Sequence, residues 1–302
     1  MKPKTLTDNS LWFIESPRWH KGKLWFADLL DGEGQIKTID LEGNCETTKI
    51  GSLVEGTPKS LDFLPNGDLL FATGVSNSGK GKLGLFCWDG EKVSEYADFS
   101  GLNSKSLNDM VVSARGRVYI GSIDFDFRLQ EQPRPGRLFM IGSAPLRGSL
   151  RDRQVKVVAE DIIFPNGIVI TDDGKTLIIA DSFRRCAIAF DIQEDGSLSN
   201  RRIFAQFREE DNIMPDGICL DAENAIWVAT FNKSVVRVMP SGKIDRRIDL
   251  EDKAIAVMLG GNDKKTLFIS TVGELSPGSK EQKPTASILT MPVETPGAGF
   301  PA

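Results

Sequence analysis

Asn166-Gly167-Ile168-Val169-Ile170-Thr171-Asp172-Asp173-Gly174-Lys175-Thr176-Leu177-Ile178-Ile179-Ala180 reads as two short β-strands joined by a tight turn. Ile168 and Ile170 recur with the period of two expected of a strand that packs one side inward. Asp173-Gly174 supplies the positive φ that a tight hairpin needs. The same unit recurs outward in both directions. Copies fall at residues 216–229, 108–121, 60–71 and 16–27, and a weaker one spans 256–270. Their turn residues lie at 22, 67, 116, 174, 224 and about 264, in steps of 45, 49, 58, 50 and about 40.

Each hairpin is followed by further strand-like runs, such as residues 34–41, 83–88, 137–141, 186–192, 235–239 and 287–291. Four short strands per period of about 40 to 50 residues is the pattern of a propeller blade. No segment holds a helical period. The fold class is therefore all-β, a six-bladed β-propeller, with a central metal-binding channel expected from the residues at its mouth, and the whole chain 1–302 reads as one such domain. A two-sheet sandwich is the competing architecture, but six copies at one period favour a ring. A ring must close without leaving free sheet edges, and residues 5–13 are expected to add a strand to the last blade.

A hydrophobic share of 40% and a charged share of 26% describe an ordinary globular chain. The net charge of −5 argues against a general nucleic-acid surface, which needs clustered Lys and Arg. No apolar run is long enough to span a membrane. Residues 1–10 lack the apolar centre of a secretory signal. Cys45, Cys87, Cys186 and Cys219 are far apart in sequence and read as free thiols in a reducing compartment, so a cytoplasmic location is expected. His20 is the single histidine and reads as a strand end at a surface turn. Histidine-based nucleophile systems and histidine-rich zinc sites are thereby disfavoured.

Gly79-Lys80-Gly81-Lys82-Leu83-Gly84 matches Gly-x-Gly-x-x-Gly but lacks the preceding strand and following helix of a dinucleotide site. Residues 74–81 nearly match a P-loop, with Gly81 where Ser or Thr should stand. Both read as one loop in the second blade.

In a propeller, the residue leading into each innermost strand stands at one mouth of the channel. Counting back seven or eight residues from each turn gives Glu15, Lys59-Ser60, Asn108, Asn166, Asp216 and Ala256 or Val257. Pseudo-symmetry so gathers Glu15, Asn108, Asn166 and Asp216 at one end. Two carboxylates and two amides with no nearby arginine repel unless a cation joins them. An all-oxygen set selects a hard ion such as Ca²⁺, Mg²⁺ or Mn²⁺, and Zn²⁺ also accepts carboxylates.

These residues resemble the senescence-marker-protein, gluconolactonase and luciferin-regenerating-enzyme family of six-bladed propellers. The resemblance covers nearly the whole chain. Its carriers are Glu15-Ser16-Pro17-Arg18-Trp19 with Leu24-Trp25-Phe26-Ala27-Asp28, then Asn108-Asp109, Phe164-Pro165-Asn166-Gly167 and Pro215-Asp216-Gly217-Ile218. The resemblance implies one divalent metal ion, Ca²⁺ foremost with Zn²⁺, Mn²⁺, Mg²⁺ or Fe²⁺ as alternatives, held by Glu15, Asn166 and Asp216. It implies a metal-dependent lactonase acting on a small-molecule lactone, with Asp216 as the expected proton acceptor for the attacking water, a metal-bound water being the alternative, and Asn108 either touching substrate or completing the metal shell. Sugar lactonases of the family often carry Arg two residues before the asparagine, where this chain has Ser106, and Gly after Asn-Asp, where it has Met110. Asp126 is the acidic residue expected on the next channel loop, so Ser106 and Asp126 join Asn108 as substrate-binding candidates. Phe125 and Phe127 would make the site more apolar, which points to a lactone less hydroxylated than gluconolactone. Another carboxylic ester or phosphotriester is an alternative substrate, and a non-catalytic calcium- or ligand-binding propeller is the alternative from another class.

Overall fold

Among the described residues of a computed structural model of the chain, twenty-four strands form six four-stranded antiparallel sheets. The structure describes residues 2–301 except 33, 75–80, 103, 127–128, 143–152 and 275–282. Strand β1 (Lys4–Leu11) stands apart from the first blade, which is β2 (Ile14–His20), β3 (Lys23–Asp28), β4 (Gln35–Ile39) and β5 (Cys45–Thr47). The second is β6 (Thr57–Phe63), β7 (Leu69–Gly74), β8 (Gly84–Trp88) and β9 (Val93–Asp98). The third is β10 (Ser106–Val112), β11 (Val118–Ile123), β12 (Gly136–Ile141) and β13 (Val155–Ile162). The fourth is β14 (Pro165–Ile170), β15 (Thr176–Asp181), β16 (Cys186–Ile192) and β17 (Leu198–Gln206). The fifth is β18 (Ile218–Leu220), β19 (Ile226–Ala229), β20 (Ser234–Val238) and β21 (Ile244–Asp249). The sixth is β22 (Lys253–Gly260), β23 (Thr266–Val272) and β24 (Ala286–Pro292), completed by β1. Among the described residues there is no α-helix, and no helix is long and apolar enough to cross a membrane.

The six inner turns fall where the repeat places them. Residues 22, 67, 116, 174, 224 and 264 all have positive φ, at 80°, 90°, 71°, 69°, 56° and 56°. The first strands of the blades, β2, β6, β10, β14, β18 and β22, pack against one another in order and back to the start, so the ring closes around a common axis. The expected period-two packing is present between blades. Ile168 and Ile170 meet Val111 and Tyr119 of the third blade, while Val169 meets Ile218 and Val228 of the fifth. Closure uses both ends of the chain, with Lys4 opposite Thr290 and Thr5 opposite Leu289.

Beyond β24 the chain runs back under the ring. Ala222 N–H bonds Pro296 O, Gly297 N–H bonds Lys264 O and Ala298 N–H bonds Leu220 O. Ile170 and Phe300 exchange two backbone hydrogen bonds of 2.8 Å. This strap crosses blades six, five and four on the side of the hairpin turns. Its Phe300 faces a cavity of about 200 Å³ that His20, Phe63 and Ala114 also line. His20 is half-buried and stacks on Phe63 at 3.7 Å, so it packs instead of standing free at a surface turn. The Gly79-Lys80 part of the glycine-rich motif lies outside the described residues.

Candidate functional site at the channel mouth

The innermost strands carry a shared irregularity. Register breaks between Glu15 and Arg18 in β2, Pro58 and Ser60 in β6, Leu107 and Met110 in β10, Pro165 and Ile168 in β14, and Ala254 and Ala256 in β22. In the fifth blade β18 begins just after Asp216-Gly217, whose backbone still bonds Ala229 from both residues. A bulge turns a side chain out of the strict in-out alternation. Here it falls on Asn108 and Asn166 themselves and directly after Glu15, so one backbone device serves several candidate residues.

Gly167 and Gly217 follow Asn166 and Asp216 for a steric reason and do not act as turn residues. A Cβ on Gly167 would stand 2.4 Å from the Ile218 nitrogen, and one on Gly217 would stand 2.7 Å from Ala256 Cα. Each glycine lets the next blade approach its neighbour's backbone.

The four residues selected by offset are brought together. Asn108 Nδ2 donates to Pro165 O at 2.9 Å and to Asn166 Oδ1 at 3.2 Å. Asn166 Nδ2 donates to Ser182 Oγ at 3.1 Å, and Ser182 Oγ donates to Pro215 O at 2.6 Å. Gly167 N–H donates to Asp216 O at 3.2 Å. Burial holds the Glu15 carboxyl well above the usual carboxylate range, and the charges of Asp216 and Asp109 push it further. Burial, then the charge of Asp109, does the same to Asp216, against a hydrogen bond from Asn166.

Two other candidates are engaged within their own segments. The half-buried Ser106 donates its hydroxyl to Leu107 O at 2.9 Å. Asp126 Oδ1 accepts the Leu129 N–H at 3.3 Å within the β11–β12 loop. Phe127 lies outside the described residues. Phe125 is 2% exposed and packs edge-on to Phe164 at 6.1 Å.

Beneath the mouth lies a charged layer whose residues carry no periodic mark in the sequence. Ser16, at φ 47°, donates Oγ to Asp109 Oδ1 at 2.7 Å. Arg18 donates to Met110 O at 2.7 Å and to Pro17 O at 2.9 Å, and its Nε stands 3.6 Å from Asp62. Asp62 accepts the Val112 N–H at 2.7 Å, and Ser60 Oγ donates to Asn108 O at 2.7 Å. Burial raises Asp109 and Asp62, and Arg18 pulls both back. The available signal was the local sequence. Asp109 adjoins Asn108, and Ser16 and Arg18 sit in the Glu15-Ser16-Pro17-Arg18 run.

This oxygen-rich cluster fits a hard divalent cation. Glu15 Oε2 is buried and has no hydrogen-bond partner, a costly state for a carboxylate that nothing neutralises. Glu15, Asp216, Asp109 and Asp62 are set against the buried guanidinium of Arg18, which acts on Asp109 and Asp62, and the charge of Lys59, which acts on Glu15. No cluster of three or more His, Cys, Asp or Glu side chains suited to a metal occurs among the described residues. The donor set expected here has two carboxylates and completes itself with amides.

Six blades around an axis, with this buried oxygen cluster at one mouth, define a β-propeller with a candidate ligand site at its centre. Residues 13–273 match the SMP-30/Gluconolactonase/LRE-like region, and the chain belongs to that family. Regucalcin of Oryctolagus cuniculus is 30% identical over 185 residues, which cover 60% of this chain and 59% of that protein. The chain thus spans about 59% of the length of that relative. The calcium-binding protein regucalcin of Agrobacterium tumefaciens superposes with a TM-score of 0.77 at 19% identity, covering 98% of this chain and 95% of that one. A gluconolactonase of Xanthomonas campestris superposes with a TM-score of 0.71 at 19% identity, covering 95% and 88%. At such identities the two structures support the fold alone.

Proposed function

We propose that this protein is a metal-dependent lactonase that opens the ring of a small-molecule lactone less polar than gluconolactone. The observation that carries the reading is the buried gathering of Glu15, Asn108, Asn166 and Asp216 with Glu15 Oε2 unpartnered, in a chain of the gluconolactonase-like family. Glu15, Asn166 and Asp216 would hold the ion, Ca²⁺ foremost. A bound divalent cation supplies polarisation of the ester carbonyl and stabilises charge that develops on its oxygen.

The chain's own groups do the rest. Asn108 donates through Nδ2 to Pro165 and Asn166, which leaves its carbonyl oxygen to accept a substrate hydrogen bond. Asp216 takes one proton from the attacking water. The water oxygen adds to the carbonyl carbon, the ring C–O bond breaks, and the departing alkoxide recovers that proton. The products are the open hydroxy acid and the regenerated carboxylate. Ser106 brings no positive charge to bind sugar hydroxyls. Asp126 would reach the substrate from the β11–β12 loop. The free thiols of Cys45, Cys87, Cys186 and Cys219 support a reducing cytoplasm as the location.

The test is a lactone panel on metal-stripped protein, with Ca²⁺, Mg²⁺, Mn²⁺, Zn²⁺ and Fe²⁺ restored singly. Turnover that returns with an ion and favours alkyl- or aryl-substituted lactones is the expected result. Faster hydrolysis of gluconolactone would overturn the substrate preference. Ion binding without any turnover would make this a non-catalytic binding propeller.

A further inference from the structure

Phe183 is 41% exposed, yet its surroundings hold it firmly. It follows Ser182, whose hydroxyl bridges Asn166 and Pro215 at the candidate site. Ser182 N–H also donates to Phe164 O at 3.2 Å. The buried Asp181 carboxylate accepts the N–H groups of Ile163 and Phe164 at 3.0 and 3.1 Å. The Phe164 and Phe183 rings stack at 4.9 Å with an 18° interplanar angle, and Phe125 lies 5.6 Å from Phe183. Three rings from blades three and four thus form a fixed wall beside Asn166.

Packing on Phe164 and Phe125 still leaves Phe183 41% exposed. A large apolar side chain left in water gains little from burial and is informative when it continues a ligand site. Large exposed apolar residues also favour this side of the ring. Of the seven among the described residues, Leu30, Leu53, Leu129 and Phe183 lie on loops at the mouth, where β3–β4, β5–β6, β11–β12 and β15–β16 connect. The adjacent cation is committed elsewhere, since Arg184 pairs with Asp161 and lies 3.6 Å from Asp181.

We propose that Phe183, backed by Phe164 and Phe125, binds an aryl substituent of the lactone and is the specificity-determining residue of this site. The inference rests on the lactonase reading above. Offset-stacked rings contribute beyond their buried area, and the wall is preformed, so little ordering cost opposes binding.

The experiment compares dihydrocoumarin with δ-valerolactone, the same six-membered lactone without the aryl ring, on metal-loaded protein. In Phe183→Ala the ratio of kcat/KM for the first over the second should fall about tenfold or more, the usual effect of losing a pocket contact. The loss should appear mainly in KM, and Phe183→Tyr, which keeps the ring, should retain the ratio. An unchanged ratio in Phe183→Ala overturns the proposal. Chroman keeps the aryl ring and cannot be hydrolysed, so its saturation-transfer NMR signal reads the wall without turnover. That signal should be present for the wild-type protein and lost in Phe183→Ala. Equal signals, or none from the wild-type protein, overturn the proposal. If no lactone is hydrolysed while the chroman signal behaves as expected, the lactonase reading fails and the aryl-binding wall stands.

Discussion

Glu15 and Asp216 are acids held where their charged forms are poorly solvated, and this has a sign that can be measured. Burial raises both above the usual carboxylate range in the folded, metal-free protein. The folded state therefore binds protons more tightly than the unfolded chain, and stability falls as pH rises from the ordinary carboxylate range through the raised values. A cation replaces those protons, so its stabilising effect should grow with pH over the same window. Thermal melts of stripped protein with and without Ca²⁺, from pH 4.5 upward, check this. A calcium increment that is flat or shrinks with pH would sink it. For the proposed chemistry, Asp216→Asn would keep an oxygen at the proposed ion site and remove the proposed proton acceptor. Its kcat should fall by about 100-fold or more, the range of general-base contributions, with the ion retained by calorimetry. Near-normal turnover would move the base elsewhere.

The strands matter through their defects as much as their regularity. A strictly alternating inner strand would send consecutive residues to opposite inter-blade faces. The register breaks after Glu15 and around Asn108 and Asn166 interrupt that alternation at the mouth. Gly217 makes the close approach of blade six possible, and Gly217→Ala would drive a methyl to 2.7 Å from the Ala256 backbone. Overpacking of this kind costs about 1 to 3 kcal/mol. The variant should melt earlier and bind Ca²⁺ more weakly, because Asp216 is the preceding residue. A wild-type melting temperature would falsify the steric account. Gly67, by contrast, is a true hairpin turn residue at φ 90°.

Closure of the ring joins distant parts of the sequence. Strand β1 completes the sixth blade, and Gly260 of β22 packs against Trp19 of β2, which stacks on Phe268 at 5.3 Å. The strap from Pro296 to Phe300 adds backbone hydrogen bonds to blades six, five and four on the face opposite the site. A typical hydrogen bond contributes about 1 kcal/mol net, so removing residues 296–301 should lower the melting temperature by several degrees while Ca²⁺ binding at the mouth persists. Loss of ion binding together with the strap would show that the two faces are coupled.

The period of the turns, the alternation of Ile168, Val169 and Ile170, and the offsets of Glu15, Asn108, Asn166 and Asp216 are local properties of the chain. They determined the six-bladed ring and the four residues at its mouth, because every blade repeats one geometry and pseudo-symmetry places like positions together. The edge-closing role of the N-terminal segment was also legible, since a ring admits few ways to remove its free strand. Contacts between blades carry no such periodic mark. The pairing of Ser16 with Asp109, the position of Arg18 between Met110 and Asp62, and the path of the strap under blades six to four arise only when the ring closes. The aromatic wall follows the same rule. Phe125 was read from its own loop and proves buried, whereas Phe183 becomes its exposed face only because two blades bring three rings within stacking distance.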